Sequence, residues 1–239
     1  SPVQPQPVAG SEISVRCGEW VSAASGCCAD SQCWSVAPFK VPPPWTRYQH
    51  PPSERFVLQA IVGDIPEPHS EQIVDLWGEL QRRFGVHSEL TAEFPHFSLH
   101  VANTYAEDEL VERLGEFCAE HPPLRVRTAG LGLFTRQRAV LYMPLVRNPR
   151  LNAFHRALWK AISGLGEEVR PYYRPERWIP HVTLAHDNLD QYNLGGAISW
   201  LADQHLDWVF DVTTLSVLEA DGTDRRVVGT FELSGASES

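Results

Sequence analysis

The sequence predicts an α+β fold built from two similar halves. Three observations lead there. From Glu54 onward, strand-like and helix-like periodicities follow the order β-α-β-α-β-β. The second half returns to that order in looser form, an internal pseudo-repeat. Each copy contains one strand of the same composition, Pro-His-apolar-hydroxyl-Leu, as "PHFSL" and as "PHVTL".

The elements can be justified in turn. "RFVLQAIVG" reads as a buried strand. "EPHSEQIVDLWGELQRRFG" carries Ile73, Leu76, Trp77 and Leu80 at helical spacing and stops at Gly85, a good C-cap. "HFSLHVA" alternates like a strand. "EDELVERLGEFCAE" reads as an acidic helix halted by Pro122 and Pro123. "LRVRTAGLGLF" and "AVLYMPLV" read as two strands of a hairpin joined by "TRQR". In the second half, "RLNAFHRALWKAISGLG" is an amphipathic helix with Leu151, Phe154, Leu158, Ala161 and Ile162 on one face, which leaves His155 at the surface. A basic, aromatic loop, "EEVRPYYRPERW", leads into the strand "IPHVTLAH". "YNLGGAISWLADQH" reads as a helix. "WVFDVTTLSVLEAD" and "RRVVGTFEL" read as two closing strands around a turn at "DGTD".

Residues 1–53 differ in composition. They are rich in Pro, Ser and Cys, and are expected to form an extension or linker ahead of a domain spanning 54–239, whose intertwined lobes are roughly 54–148 and 149–239. Four of the five cysteines, Cys17, Cys27, Cys28 and Cys33, cluster here as C-x9-C-C-x4-C. That spacing lacks the paired C-x2-C units of common zinc sites, and the odd total does not suit a fully disulfide-paired scaffold. No metal and no cofactor are expected. "SPVQPQPVAG" lacks the charged-then-apolar pattern of a signal peptide, and no 18-residue apolar run exists. The expectation is a cytoplasmic monomer without membrane association.

The net charge of −10 argues against wrapping long nucleic acid. It hides an asymmetry. From Arg125 to Arg177, eleven Arg and Lys face three acids, a local balance of +8 that leaves −18 elsewhere. A small anion or a chain end could sit against that segment.

The paired strands carry the chemistry. In the first, His96 and Ser98 share one face and Phe97 and Leu99 the other. In the second, His181 and Thr183 share a face, 85 residues after the first pair. One such strand would be an ordinary polar face; two matched copies in matched context are a pattern. Two imidazoles bracketing one site can be general base and general acid near neutral pH, and the hydroxyls can donate to an oxyanion between them. A phosphate diester suits such a site, because in-line displacement needs a base on one side and an acid on the other.

These motifs resemble the two-histidine (2H) phosphoesterase superfamily, and "WIPHVTLAH" is most similar to its 2′-5′ RNA ligase-like and cyclic phosphodiesterase branch. The resemblance covers roughly Glu54 to Leu233. It implies a bilobal, pseudo-two-fold α+β fold in which two antiparallel sheets form a central cleft with helices outside. It also implies a metal-independent phosphodiesterase acting on 2′,3′-cyclic phosphates or on 2′-5′ or 3′-5′ RNA ends. RNA ends or small cyclic nucleotides would be the partners, with His96 and His181 catalytic and Ser98 and Thr183 binding phosphate.

Around these four, further residues are placed at the substrate. His100 continues the His96–Ser98 face; the plain alternative is a strand-end histidine. His186, five residues after His181, falls on the opposite face and is read as structural. Tyr172, Tyr173, Arg174, Arg177 and Trp178 precede the second motif, where aromatic rings stack on bases and arginines meet phosphate. For Trp178 the alternative is a core anchor. Phe134, at the hairpin tip beside Arg136 and Arg138, is another stacking candidate. A competing function is a non-catalytic RNA- or nucleotide-binding module with the same fold, which would have no need of both imidazoles.

Overall fold

The computed structural model describes residues 57–86, 94–135, 139–186, 188–221 and 224–236. The N-terminal cysteine cluster, the boundary near Glu54 and the hairpin tip at Arg136 and Arg138 lie outside them. The elements run β1 (Val57–Asp64), α1 (His69–Phe84), β2 (His96–Ala102), β3 (Thr104–Tyr105), α2 (Glu107–Glu120), β4 (Leu124–Arg127), β5 (Gly132–Thr135) and β6 (Ala139–Pro144). Then come α3 (Pro149–Ala161), β7 (Gly166–Glu167), a 3₁₀ turn (Pro171–Tyr173), β8 (His181–Ala185), α4 (Leu194–Ala202), β9 (Val209–Val212), β10 (Thr214–Asp221) and β11 (Asp224–Glu232).

The helices follow the expected periodicity and stops. α1 buries Ile73, Leu76 and Leu80 and ends at Gly85, whose left-handed φ of 66° lets its N–H return to Gln81. α3 starts where the Asn148 side chain accepts from the Leu151 N–H, with Pro149 in its first turn. It buries Leu151, Phe154 and Leu158, and also His155. His155 is therefore not at the surface. It is 1% exposed, stacks on Trp178 at 3.7 Å between ring centroids, and its Nε2 donates to Leu99 O at 2.8 Å.

Seven antiparallel strands form the main sheet in the order β11-β10-β1-β2-β8-β6-β5. In place of the two antiparallel sheets that the resemblance implies, the α+β fold joins two antiparallel blocks, β11 to β2 and β8 to β5, edge to edge in this one sheet. They meet through one residue pair, Phe97 with Val182. One apolar core, including Phe97, Leu99, Leu141, Met143, Val182 and Leu184, lies behind both blocks. The closing hairpins are exchanged. The β5–β6 hairpin of the first half pairs with β8 of the second, and the β10–β11 hairpin of the second half pairs with β1 of the first.

Two segments read as single strands are broken. "LRVRTAGLGLF" splits into β4 and β5, and "WVFDVTTLSVLEAD" splits into β9 and β10. β4 and β9 pair with each other in a separate two-stranded sheet. The corner is Thr128, fully buried. Its hydroxyl donates to Leu206 O at 2.7 Å and accepts from Trp208 N at 2.9 Å, while Gly130, at φ 65°, supplies the left-handed step.

Each His-bearing strand contains a β-bulge at the same point. On β2, Ser98 faces Val62 and His100 faces Ile61, so Leu99 is the extra residue. On β8, Thr183 faces Tyr142 and Ala185 faces Leu141, so Leu184 is the extra residue. A bulge breaks the alternation of faces. His100 is consequently not on the His96 face. It is 3% exposed, 2.5 Å from the Tyr105 hydroxyl and packed on Trp159.

Burial pulls His100 and His155 down to about 4, opposed at His155 by the Leu99 carbonyl; Arg147 adds to the shift on His155, and His155, when charged, adds to that on His100. The unfolded chain, with imidazoles near 6.5, then binds more protons than the native chain between about pH 6.5 and 4. Stability should be complete above that window and fall as pH drops through it, by up to ~3 kcal/mol per histidine. Asp64, raised to about 6 by burial, works in the opposite sense over the same range. Urea unfolding from pH 7 to 4.5 should show the net loss, and His155→Gln should make the dependence shallower. An unchanged slope in that variant would remove His155 as a source.

Candidate active site

A cleft of about 640 Å³ opens on the face of the sheet opposite the core, lined from both blocks by His96, Ser98, His181 and Thr183. The register explains why they meet. Carrying the Phe97–Val182 pair one residue each way sets His96 abreast of Thr183 and Ser98 abreast of His181. The imidazoles are then diagonal neighbours, about 7–8 Å apart between Cα atoms in a regular antiparallel pair. All four side chains are half-buried, whereas Phe97 and Val182 between them are buried.

Both imidazoles are held in the same way. His96 Nδ1 lies 3.1 Å from Phe94 O and His181 Nδ1 lies 2.7 Å from Ile179 O, each carbonyl two residues earlier. A carbonyl only accepts, so Nδ1 carries the proton in both neutral rings and Nε2 is the nitrogen left for chemistry. Burial pulls His96 down to about 4, with the nearby His181 and Arg225 charges adding to the shift against the Phe94 carbonyl. Burial also lowers His181, opposed by the Ile179 carbonyl. Aromatic edges fix the His181 ring further. Phe134 and Tyr142, stacked on each other at 4.1 Å, approach it at 5.0 and 5.1 Å. Gly132 makes that stack possible, since a Cβ there would collide with the Tyr142 ring.

The hydroxyl residues are braced from behind. The Trp77 indole donates to Thr183 O at 3.0 Å and the Trp178 indole donates to Ser98 O at 2.9 Å. Both tryptophans line the cleft, although Trp178 is only 1% exposed. Trp178 is thus a core anchor whose edge reaches the site.

The other expected contacts divide. Tyr172, half exposed, and Tyr173, more deeply set, line the cleft with Phe134. The Tyr173 phenol hydrogen-bonds the Ser98 side chain, and burial pushes its pKa up against that bond. Arg174 does not line the cleft. Its carbonyl accepts from the Arg177 and Trp178 N–H groups at 2.8 and 2.9 Å, and this tight turn brings Arg177 into the lining instead. Much of the basic segment is committed elsewhere. Arg125 pairs with Asp211, Arg127 with Asp207, and Arg147 donates to Asn152, Trp178 and Pro175.

Among the polar and aromatic lining residues, Trp77, His186, Glu219 and Arg225 escape a reading of the sequence. The bulge at Leu184 accounts for His186, because it returns that residue to the His181 face. Val101, 85 residues earlier, lines the cleft at the matching place. Arg225 stands on β11, brought in by the hairpin exchange. Among the described residues, no group of three or more His, Cys, Asp or Glu is placed to hold a metal, and no helix is long and apolar enough to cross a membrane.

The fold and sequence both have relatives. The chain resembles the crystal structure of TT0787 of Thermus thermophilus, with 16% identity, 75% of this chain and 100% of that chain covered, and a TM-score of 0.51. A second likeness is to E. coli LigT complexed with NADP+, at 16% identity, with 76% of this chain and 99% of that chain covered and a TM-score of 0.49. No curated protein matches the chain. Residues 65–224, which include both His motifs and the β2–β8 pair that joins them, match the 2′-5′ RNA ligase superfamily. The chain therefore belongs to the 2′-5′ RNA ligase superfamily of two-histidine phosphoesterases.

Proposed function

We propose that the chain is a phosphodiesterase that opens 2′,3′-cyclic phosphates or cleaves 2′-5′ or 3′-5′ RNA phosphodiester ends without a metal, with His96 and His181 as its acid–base pair. The register at Phe97 and Val182 carries this reading, because it gathers two imidazoles and two hydroxyls at the corners of one patch inside one cleft. One neutral imidazole takes the proton of the attacking hydroxyl or water through Nε2. The other, protonated, gives its Nε2 proton to the leaving oxygen. Ser98 and Thr183 donate to the non-bridging oxygens as negative charge grows there. Arg177 and Arg225 add positive charge to the lining, and Tyr172 and Phe134 offer rings for a base.

The direct experiment is incubation with a 2′,3′-cyclic nucleotide, and with short 2′-5′- and 3′-5′-linked RNAs, in excess chelator, followed by product analysis. Turnover under chelation supports the reading; turnover that appears only on adding a divalent ion overturns it.

Three outcomes should accompany activity. His96→Ala and His181→Ala should each lower kcat at least ~10²-fold with the fold intact by circular dichroism. Undiminished kcat in either variant would take that histidine out of the reaction.

The pH profile should be shifted. Catalysis needs one neutral and one charged imidazole, and before substrate binds both lie below the ordinary value of about 6.5. The kcat/KM optimum should therefore lie on the acid side of about pH 6.5, with apparent values belonging to the coupled pair. Bound phosphate anion favours the charged imidazole, so the kcat profile should sit at higher pH than that of kcat/KM. A kcat/KM that climbs to pH 9 would point to solvent hydroxide.

Tyr172→Ala should raise KM by the ~1–3 kcal/mol of one stacking contact while kcat is kept. Steady-state kinetics with a cyclic nucleotide checks this, and loss confined to kcat would assign Tyr172 to the chemistry.

A further inference from the structure

The two hydroxyl residues share a feature that their sequence motif does not show. Each lies immediately before a bulge, where the extra residue interrupts the ladder and backbone carbonyls lose their strand partners. On β2 the Leu99 carbonyl is taken by His155 and Trp159, at 2.8 and 3.3 Å. The carbonyls of the hydroxyl residues themselves are taken by indoles, Thr183 O by Trp77 and Ser98 O by Trp178. Neither tryptophan belongs to the strand it braces. Trp77 comes from α1, 106 residues before Thr183, and Trp178 from the loop that follows the 3₁₀ turn.

We infer that Trp77 and Trp178 are positioning residues, each fixing the peptide plane at one hydroxyl residue and so the direction in which that hydroxyl meets phosphate: Trp77 for Thr183, Trp178 for Ser98. The inference rests on the proposed phosphodiesterase reading of the cleft. A peptide that tilts at a bulge carries its Cα–Cβ bond with it. Thr183, β-branched and stiff at χ1, has little freedom to compensate by rotating its side chain. The indole N–H is a single donor on a ring wedged between helix or loop and sheet, so it locks the carbonyl without mobile atoms.

Phenylalanine keeps most of the ring and removes the donor, so Trp77→Phe and Trp178→Phe are the test variants. Each should lower kcat on a 2′,3′-cyclic nucleotide about 5–10-fold, the worth of one net hydrogen bond. The decisive readout is the pairing. Trp77→Phe should cost little more in a Thr183→Ala background and its full factor in a Ser98→Ala background; Trp178→Phe should show the reverse. A purely structural role would be additive in every background. Inorganic phosphate binding, measured by calorimetry on the same variants, should follow the same pairing. Wild-type protein that binds phosphate but turns over no diester would overturn the proposed function, and the pairing would then be decided on Kd. Additive losses in both readouts would overturn the positioning roles, and wild-type protein with neither activity nor phosphate binding would overturn both readings. If Trp178→Phe does not fold, the half-buried Trp77 decides alone.

Discussion

The cleft depends on a seam one residue pair wide. β2 and β8 come from opposite halves of the chain and are held in register by Phe97 and Val182. Both are fully buried, and the Phe97 ring lies over Gly63, where even a Cβ would approach it within 2.5 Å. Strand faces alternate with period two, so a one-residue slip of either strand would turn its own imidazole into the core and bring its own apolar residue, Phe97 or Val182, out to solvent. The apolar cost of that slip protects the polar arrangement on the other side. The hydroxyls, the carbonyl-anchored imidazoles and the indole braces all take their places from it.

The environment built on this seam suits acid–base work on an anion. The imidazoles are sheltered enough to favour the neutral form, and their Nδ1 protons are committed to carbonyls. In the proposed reaction, charge would enter with a substrate that stabilises it, so the acid would be made most readily with phosphate between the rings. The two sides are not equivalent. His181 is boxed by Phe134 and Tyr142, whereas His96 has Phe94 at 5.9 Å and the Arg225 charge in reach. A pseudo-symmetric frame thus holds two chemically distinct imidazoles.

Much of this is legible in the residues. The helices announce themselves through apolar spacing and stops at Gly85 and Pro122, and the duplicated Pro-His-apolar-hydroxyl-Leu motif points to the four central side chains. The misses share a cause. Alternation assumes an unbroken ladder, and the bulges at Leu99 and Leu184 break it without leaving a Gly or Pro to mark the place. Strict alternation therefore assigns His100 to the cleft and excludes His186 from it. His155 looks like a surface residue because its partner, a carbonyl freed by one of those bulges, belongs to a strand more than 50 residues away in sequence. Thr128 and Gly130 hide a corner inside what reads as one strand, because Thr is itself a good strand former. Arg174 and Arg177 cannot be told apart by composition; a single tight turn decides between them.

The exchange of hairpins bears on how the chain reaches this state. β1 is complete only when β10 arrives, and Val57 pairs with Asp221, near the far end of the chain. The β8-β6-β5 block is complete once Ala185 is made, but the block that contains β1 and β2 is not, because it needs β10 and β11. During synthesis β1 must wait, with an open edge, for β10, made about 150 residues later. Pairings of such separation close large loops before any strand contact rewards them, which slows folding and prolongs the exposure of β edges. The same threading makes the assembled sheet a single cooperative unit, because neither block can come apart without unpairing a strand supplied by the other half.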